Sequence, residues 1–392
     1  MSYPGTSGQY YRTASMAVWR VATCVLLLAA GGLCAPCTVT ECQLPDCHCS
    51  GTVVPGNLNP ANTPQIVLVT LTDAIRQDLD FNYYSKLFNP NKTNPNGCLP
   101  TFTVFVSHPY TNYYEVQTMH SLRHEIADNS VTRRGPASWW AEANSTEWEN
   151  EVGGMREILT KWGQIPAENI KGFRAPYLQN GGDTEFEVLA ATLKLTYDTT
   201  RPTRMFMRPP LWPYTLDYDT IQECAIPPCP TASYPGFWEV PIIDLQDENG
   251  NPCNELAACA KPGSEEAAYL LLKSNFDHHY NSNRAPFHVP LTAGWFQASP
   301  DITFEATRRF FDDIMDMDHV WLVTISQAIE WVRNPTQNDE LNEFEPWKCA
   351  GDPPAVCDEN AVNTCRYGDD VLITCTTPCP PTYPGIGNPD GN

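Results

Sequence analysis

Positive charge is scarce in this chain. Its 392 residues carry 24 Lys and Arg against 46 Asp and Glu, a formal net charge of −22. That balance argues against nucleic acid or an anionic membrane surface as partner and suits a neutral or weakly basic ligand better. A membrane-spanning run is missing too. The apolar stretch 21–30 (VATCVLLLAA) is too short to cross a bilayer. Preceded by Arg20 and followed by Gly31 and Gly32, it reads as the core of a signal peptide over 1–35, with Met16 an alternative start. No internal repeat is evident.

Cysteine, by contrast, is abundant at sixteen. Cleavage near Cys34 or Ala35 removes Cys24 and Cys34 and leaves fourteen, an even number that in a secreted chain means a disulfide framework. Two sequons, Asn91-Lys92-Thr93 and Asn144-Ser145-Thr146, agree with that export route. Cys37, Cys42, Cys47 and Cys49 crowd a Cys- and Pro-rich segment over 36–64. Their number also suits a zinc ribbon, but an oxidising compartment favours disulfides. Aromatics make up 11% of the chain, with 11 Trp and 17 Tyr. Flat rings suit sugar faces, although the default place for a Trp is the core.

The stretch 65–74 (QIVLVTLTDA) is a β-branched and aliphatic run that ends in Asp73, the pattern of a strand buried on both faces. Asp73 then either caps a following helix or stands in an active site at a strand end. Further strands are predicted at 101–107, 124–127, 197–198, 287–291 and 320–325, and a short one early in 171–182. Helices are predicted at 112–122, 151–163 with Gly163 closing it, 183–195 with Asp183 as N-cap, 264–280 and 299–317. Residues 201–262, rich in Pro and aromatics and holding the pairs Cys224/Cys229 and Cys253/Cys259, read as a long functional or disulfide-stapled loop. Strands alternating with helices over 65–335 predict an α/β barrel of parallel strands. The segments 36–64 and 336–392 read as disulfide-stapled extensions, the second holding five cysteines packed on the barrel.

Several longer motifs then carry a family resemblance. RAPYLQ (174–179), LWPYTLDY (211–218), CPTASYPGFWEVP (229–241), NRAPF (283–287), QAIEWVRNP (327–335) and CPPTYPGIGNP (379–389) resemble the arthropod chitin deacetylases, from about Cys37 onward. These are metal-dependent polysaccharide deacetylases. The resemblance implies a distorted, incomplete (β/α) barrel, in the branch with a deacetylase domain alone. It also implies a divalent metal, typically zinc, on one Asp and two His, with a second Asp as base and a further His as acid.

This chain departs from that pattern at four of five positions. The strand-end Thr-Phe-Asp-Asp-Ala is Thr70-Leu71-Thr72-Asp73-Ala74, so the metal-ligand position keeps Asp73 while Thr72 stands at the base position. In HEIADNSVTR the two His-ligand positions fall on Asn129 and Arg133, a poor ligand and none at all. The acid position falls on Thr292. Arg174 and Tyr177, and Trp238 and Trp295 as pocket wall with Trp139 and Trp140 beside them, are kept as catalytic or substrate-binding candidates. His120-Ser121-Leu122-Arg123-His124 matches a metal motif literally, but the register of HEIA places the motif nine residues later. His288, four residues before Thr292, is read as lying on the opposite strand face or in a turn, and His278 and His279 as helix-end charge partners or solvated residues.

A lone Asp73 carboxylate is costly beside no cation, so Arg133, Arg174 or both are expected to pair with it. The expected function is that of a secreted, extracellular, monomeric relative, impaired in catalysis and without a cofactor, that binds chitin or chito-oligosaccharide. The alternatives are an active N-deacetylase with atypical ligands, and a secreted structural or protein-binding factor with no sugar affinity.

Overall fold

The computed structural model describes residues 38, 40–203, 208–349, 351 and 354–392. The leader and Cys24, Cys34 and Cys37 lie outside them. One curled sheet is built from β1 (Gln65–Asp73), β2 (Thr103–Val106), β3 (Glu125–Asp128), β4 (Gly172–Phe173), β5 (Tyr197–Asp198), β6 (Tyr214–Leu216) and β7 (Tyr234–Glu239). A small separate hairpin, β8 (Leu245–Gln246) and β9 (Pro252–Cys253), precedes β10 (Phe287–Leu291) and β11 (Val320–Leu322). The order is β10-β1-β2-β3-β4-β5-β7-β6, with β11 beside the first residues of β1. Pairs are parallel except β6 with β7. No pairing joins β6 to β10 among the described residues, so the ring is incomplete.

Around it run α1 (Gln77–Asn82), α2 (Tyr113–Ser121), α3 (Ser138–Glu142), α4 (Ser145–Trp148), α5 (Gly154–Trp162) and α6 (Asp183–Phe186). Then come α7 (Glu265–Tyr280), α8 (Ala293–Ala298), α9 (Pro300–Ile314) and α10 (Ile325–Arg333). β1 is buried on both faces, as its continuous apolar run predicts. Val67, Val69 and Leu71 share a core with Phe276, Phe310 and Phe311 of α7 and α9. Ile66 and Leu68 alternate inward, into a core with Phe105, Tyr197, Trp212 and Trp238. Thr70 and Thr72 continue that inward row toward the carboxyl end.

Four expectations need correction. The 201–262 stretch holds β6 and β7, and β7 joins the main sheet against β5; Pro235 and Gly236 in YPGFWE hide its period of two. Asp183 is not an N-cap, a position taken by Gly182. Its carboxylate instead accepts from Thr231 N and Oγ1, Ala232 N and Tyr234 OH, clamping the 231–234 segment. The 299–317 helix is shorter, α9, with α8 ahead of it, and the strand at 320–325 stops at Leu322 because Thr324 and Gln327 form the capping box that opens α10.

The disulfides Cys224–Cys229 and Cys253–Cys259 form as the spacing suggests. Cys98–Cys349 ties the tail to the barrel, and Cys357–Cys375 and Cys365–Cys379 staple the tail hairpin β12 (Asn363–Tyr367) and β13 (Asp370–Thr374). Pro384 O and Pro389 O accept from His108 Nε2 and Trp162 Nε1, so the tail lies on the barrel. Cys42 and Cys47 are free, contrary to a framework that pairs every cysteine.

Candidate functional site

Strand register brings Asp73, Val106, Asp128, Phe173, Asp198 and Glu239 to one rank at the carboxyl end of the sheet. At Asp73 the backbone turns out of the strand with φ +139°, a region that L-residues rarely adopt. Helix α1 is opened by Arg76, so the capping reading of Asp73 does not hold. Its Oδ1 accepts from Ala74 N at 2.9 Å and meets Arg133 Nη1 at 2.5 Å. The ion pair expected with Arg133 is therefore present.

The 129–134 loop that presents Arg133 is fastened at several points. Glu151 accepts from Thr132 N and Oγ1 at 2.8 and 2.5 Å. Ser130 Oγ accepts from Arg133 N, and Tyr177 OH donates to Arg133 O at 3.2 Å. Asn129 is fully buried and donates Nδ2 to Arg174 O at 2.7 Å, while its Oδ1 is left without a partner.

Arg174 does not pair with Asp73. It is 1% exposed and lies inside the barrel, its guanidinium 4.3 Å from the Phe105 ring centre. Nε donates to Thr199 O, and Nη1 to Thr70 Oγ1 and Thr72 Oγ1 at 3.0 and 2.9 Å. Nη2 donates to His288 Nε2 at 2.9 Å. Burial lowers the Arg174 pKa to about 10. Burial, and then the neighbouring Arg174 charge, hold His288 well below its ordinary value, so it is neutral and free to accept. His288 lies within β10, not in a turn, with its ring turned inward onto Thr70 and Arg174, and Thr292 follows the last residue of that strand. The residue at the base position, Thr72, is thus committed to a buried cation.

Thr292 stands at the N-cap of α8 with no capping hydrogen bond. Packed over that segment is the 253–259 turn, whose Ala257 Cβ is 3.9 Å from where a Cβ on Gly294 would lie. The turn brings in a carboxylate that motif reading missed. Glu255 lies within electrostatic reach of Arg174, Arg133 and Asp73, and burial raises its pKa. Only its place inside a tight disulfide ring could have flagged it.

The aromatic wall is smaller than expected. Trp238 is fully buried in the barrel interior, beside Tyr197 of β5. Trp295 is 3% exposed and gives its Nε1 to Thr307 Oγ1, and Trp140 is likewise sealed. None of these rings presents a face to a ligand, because alternation along a strand or helix turned each inward. Tyr177, 51% exposed, and the part-exposed Trp139 remain, flanking the Arg133 loop.

The literal His120–His124 motif does not converge on Asp73. His120 meets Asn169 and His124 stacks on Phe102 at 3.5 Å, at the opposite end of β3 from the Asp73 rank. His279 is buried and donates Nδ1 to Ala285 O rather than facing solvent. The donor set does not fit a divalent metal: Asp73 Oδ1 is bound by a guanidinium, Asn129 is turned to a backbone carbonyl, and Arg133 cannot ligate. Among the described residues no group of three or more His, Cys, Asp or Glu is placed to hold one.

The chain is 37% identical over 381 residues to chitin deacetylase 8 of Bombyx mori, which covers 94% of this chain and 98% of that protein. The chain belongs to the chitin deacetylase family. Chitin deacetylase 1 of Bombyx mori is 36% identical over 376 residues, covering 91% of this chain and 69% of that protein. A family 4 carbohydrate esterase from Streptomyces lividans in complex with acetate aligns at 15% identity and TM-score 0.35, over 66% of this chain and 92% of that one. No family model matches the chain.

Beside the family site, three carboxyls are buried around one cation. Asp198 accepts from Thr200 N and Oγ1, and Glu185 accepts from Gly181 N. Glu239 has Arg201 Nη1 at 3.8 Å. Burial raises Asp198 to about 6 and lifts Glu185 and Glu239 well above the usual carboxylate range. The native state therefore holds protons that the unfolded chain releases. That contribution is complete below about pH 4 and lost as pH rises through 6 and beyond. The thermal midpoint of Glu239→Gln should fall less steeply than that of the wild type between pH 5 and 8 on this account; parallel curves would contradict it.

Proposed function

We propose that this member of the chitin deacetylase family is secreted and binds chitin or chito-oligosaccharides in the extracellular matrix without hydrolysing their acetamides. The observation that carries this reading is the 2.5 Å contact of Arg133 with Asp73. A guanidinium stands at the carboxylate to which the family pattern assigns the metal. The Thr72 hydroxyl supports it, since a hydroxyl bound to Arg174 cannot take a proton from water at neutral pH. A cofactor has no part in such a role, and Tyr177 is the ring open to stacking on sugar, with Trp139 beside it carrying the Arg134 guanidinium 4.6 Å over its ring.

Secreted protein passed over chitin beads, then assayed for zinc and for acetate release, tests this. Retention with substoichiometric zinc and no acetate is expected. Stoichiometric zinc together with released acetate would overturn the non-catalytic reading. Passage through the beads, with an active relative retained in parallel, would remove the sugar-binding one.

A further inference from the structure

Of the four charged groups that influence one another at this site, three are already engaged. Asp73 and Arg133 hold each other, and Arg174 is sealed under Thr70 and Thr72 with its donors on protein acceptors. Glu255 is half-buried and, among the described residues, its carboxylate makes no hydrogen bond or ion pair. The Cys253–Cys259 disulfide fixes its turn against the segment that carries Thr292.

An ionised carboxylate only accepts, so whatever sits against Glu255 must bring an N–H or O–H. A chitin-series sugar offers at its second carbon either an acetamide or a free amine. The amine, when protonated, makes charge-assisted hydrogen bonds about twice as strong as neutral ones. An acetamide carbonyl needs a donor, and Arg133 Nη1 is committed to Asp73. Two guanidinium charges are matched here by two carboxylates, so no net local charge repels an ammonium. The chain as a whole, at −22, attracts a polycation over longer range.

We infer that this site selects glucosamine units over N-acetylglucosamine units, with Glu255 as the carboxylate that reads the amine. The inference rests on the sugar-binding reading above. The reaction that supplies such a ligand is hydrolysis of the N-acetyl group, in which water and acetamide give amine and acetate. This chain therefore acts after an active deacetylase.

Calorimetric titration with glucosamine and N-acetylglucosamine oligomers of equal length tests it, at about pH 6, where an amine is charged. The wild type is expected to bind the glucosamine oligomer about tenfold tighter or more. Glu255→Gln should erase that preference while leaving acetylated binding in place, and Glu255→Asp should keep most of it. Glu343→Gln, which removes the same charge at a side chain 86% exposed, should change neither affinity. A wild type that favours the acetylated oligomer, or a Glu255→Gln variant that weakens both equally, overturns the selectivity. Binding of neither oligomer sinks the sugar-binding reading with it.

Discussion

Restoring four side chains, with Thr72→Asp, Asn129→His, Arg133→His and Thr292→His, is expected to give zinc binding and release of acetate from chitin oligomers. The frame that would present them is intact. Positions 72 and 73 end a strand paired on both sides, and Glu151, Ser130 and Tyr177 fasten the loop that carries position 133. Arg133→His frees Asp73 Oδ1 from its guanidinium and, with Asn129→His, supplies two neutral donors beside one carboxylate. The variant lacking only Thr72→Asp should bind zinc and turn over more slowly by about 10²–10⁴-fold, the usual worth of one proton-transfer group. Zinc stoichiometry and acetate release, read on the same samples, separate the two contributions. A fourfold variant that binds no zinc would mean that the 129–134 loop cannot present its side chains to Asp73.

The parts of this site that could be read from the sequence are those fixed by position along the chain. A run such as 65–74 is long and apolar enough to be a central strand, and a cation at a ligand position next to a retained carboxylate leads directly to the Asp73–Arg133 pair. What depends on facing was lost. A motif places Trp238 and Trp295 in the chain but does not say which side each ring takes, and both turn into the core. The facing of His288 was lost in the same way, and its contacts with Thr70 and Arg174 are what place it inward. β6 escaped because three residues are too few to show an alternation, β7 because Pro235 and Gly236 break it, and only pairing to β5 makes β7 a strand of the main sheet. Glu255 belongs to no strand-end motif; a covalent ring delivers it from the far side of the groove.

Two arginines of the same site should respond very differently to truncation, because burial sets what each contributes. The Arg133–Asp73 pair has side chains 27% and 38% exposed, so water replaces much of what Arg133→Ala removes, and a loss of about 1 kcal/mol is expected. Arg174→Ala leaves Thr199 O buried without its donor, at about 1–3 kcal/mol, while His288 Nε2 keeps the Thr70 hydroxyl at 2.8 Å. It also opens a cavity beside Phe105, and large-to-Ala changes in cores cost about 2–5 kcal/mol. Against this stands the relief of a buried charge whose pKa burial has lowered to about 10, on the order of 3 kcal/mol. The losses win, and Arg174→Ala should unfold about 2–3 kcal/mol more easily than the wild type in urea. Equal destabilisation by the two substitutions would mean that Arg133, not Arg174, is the cation that holds the strand ends together.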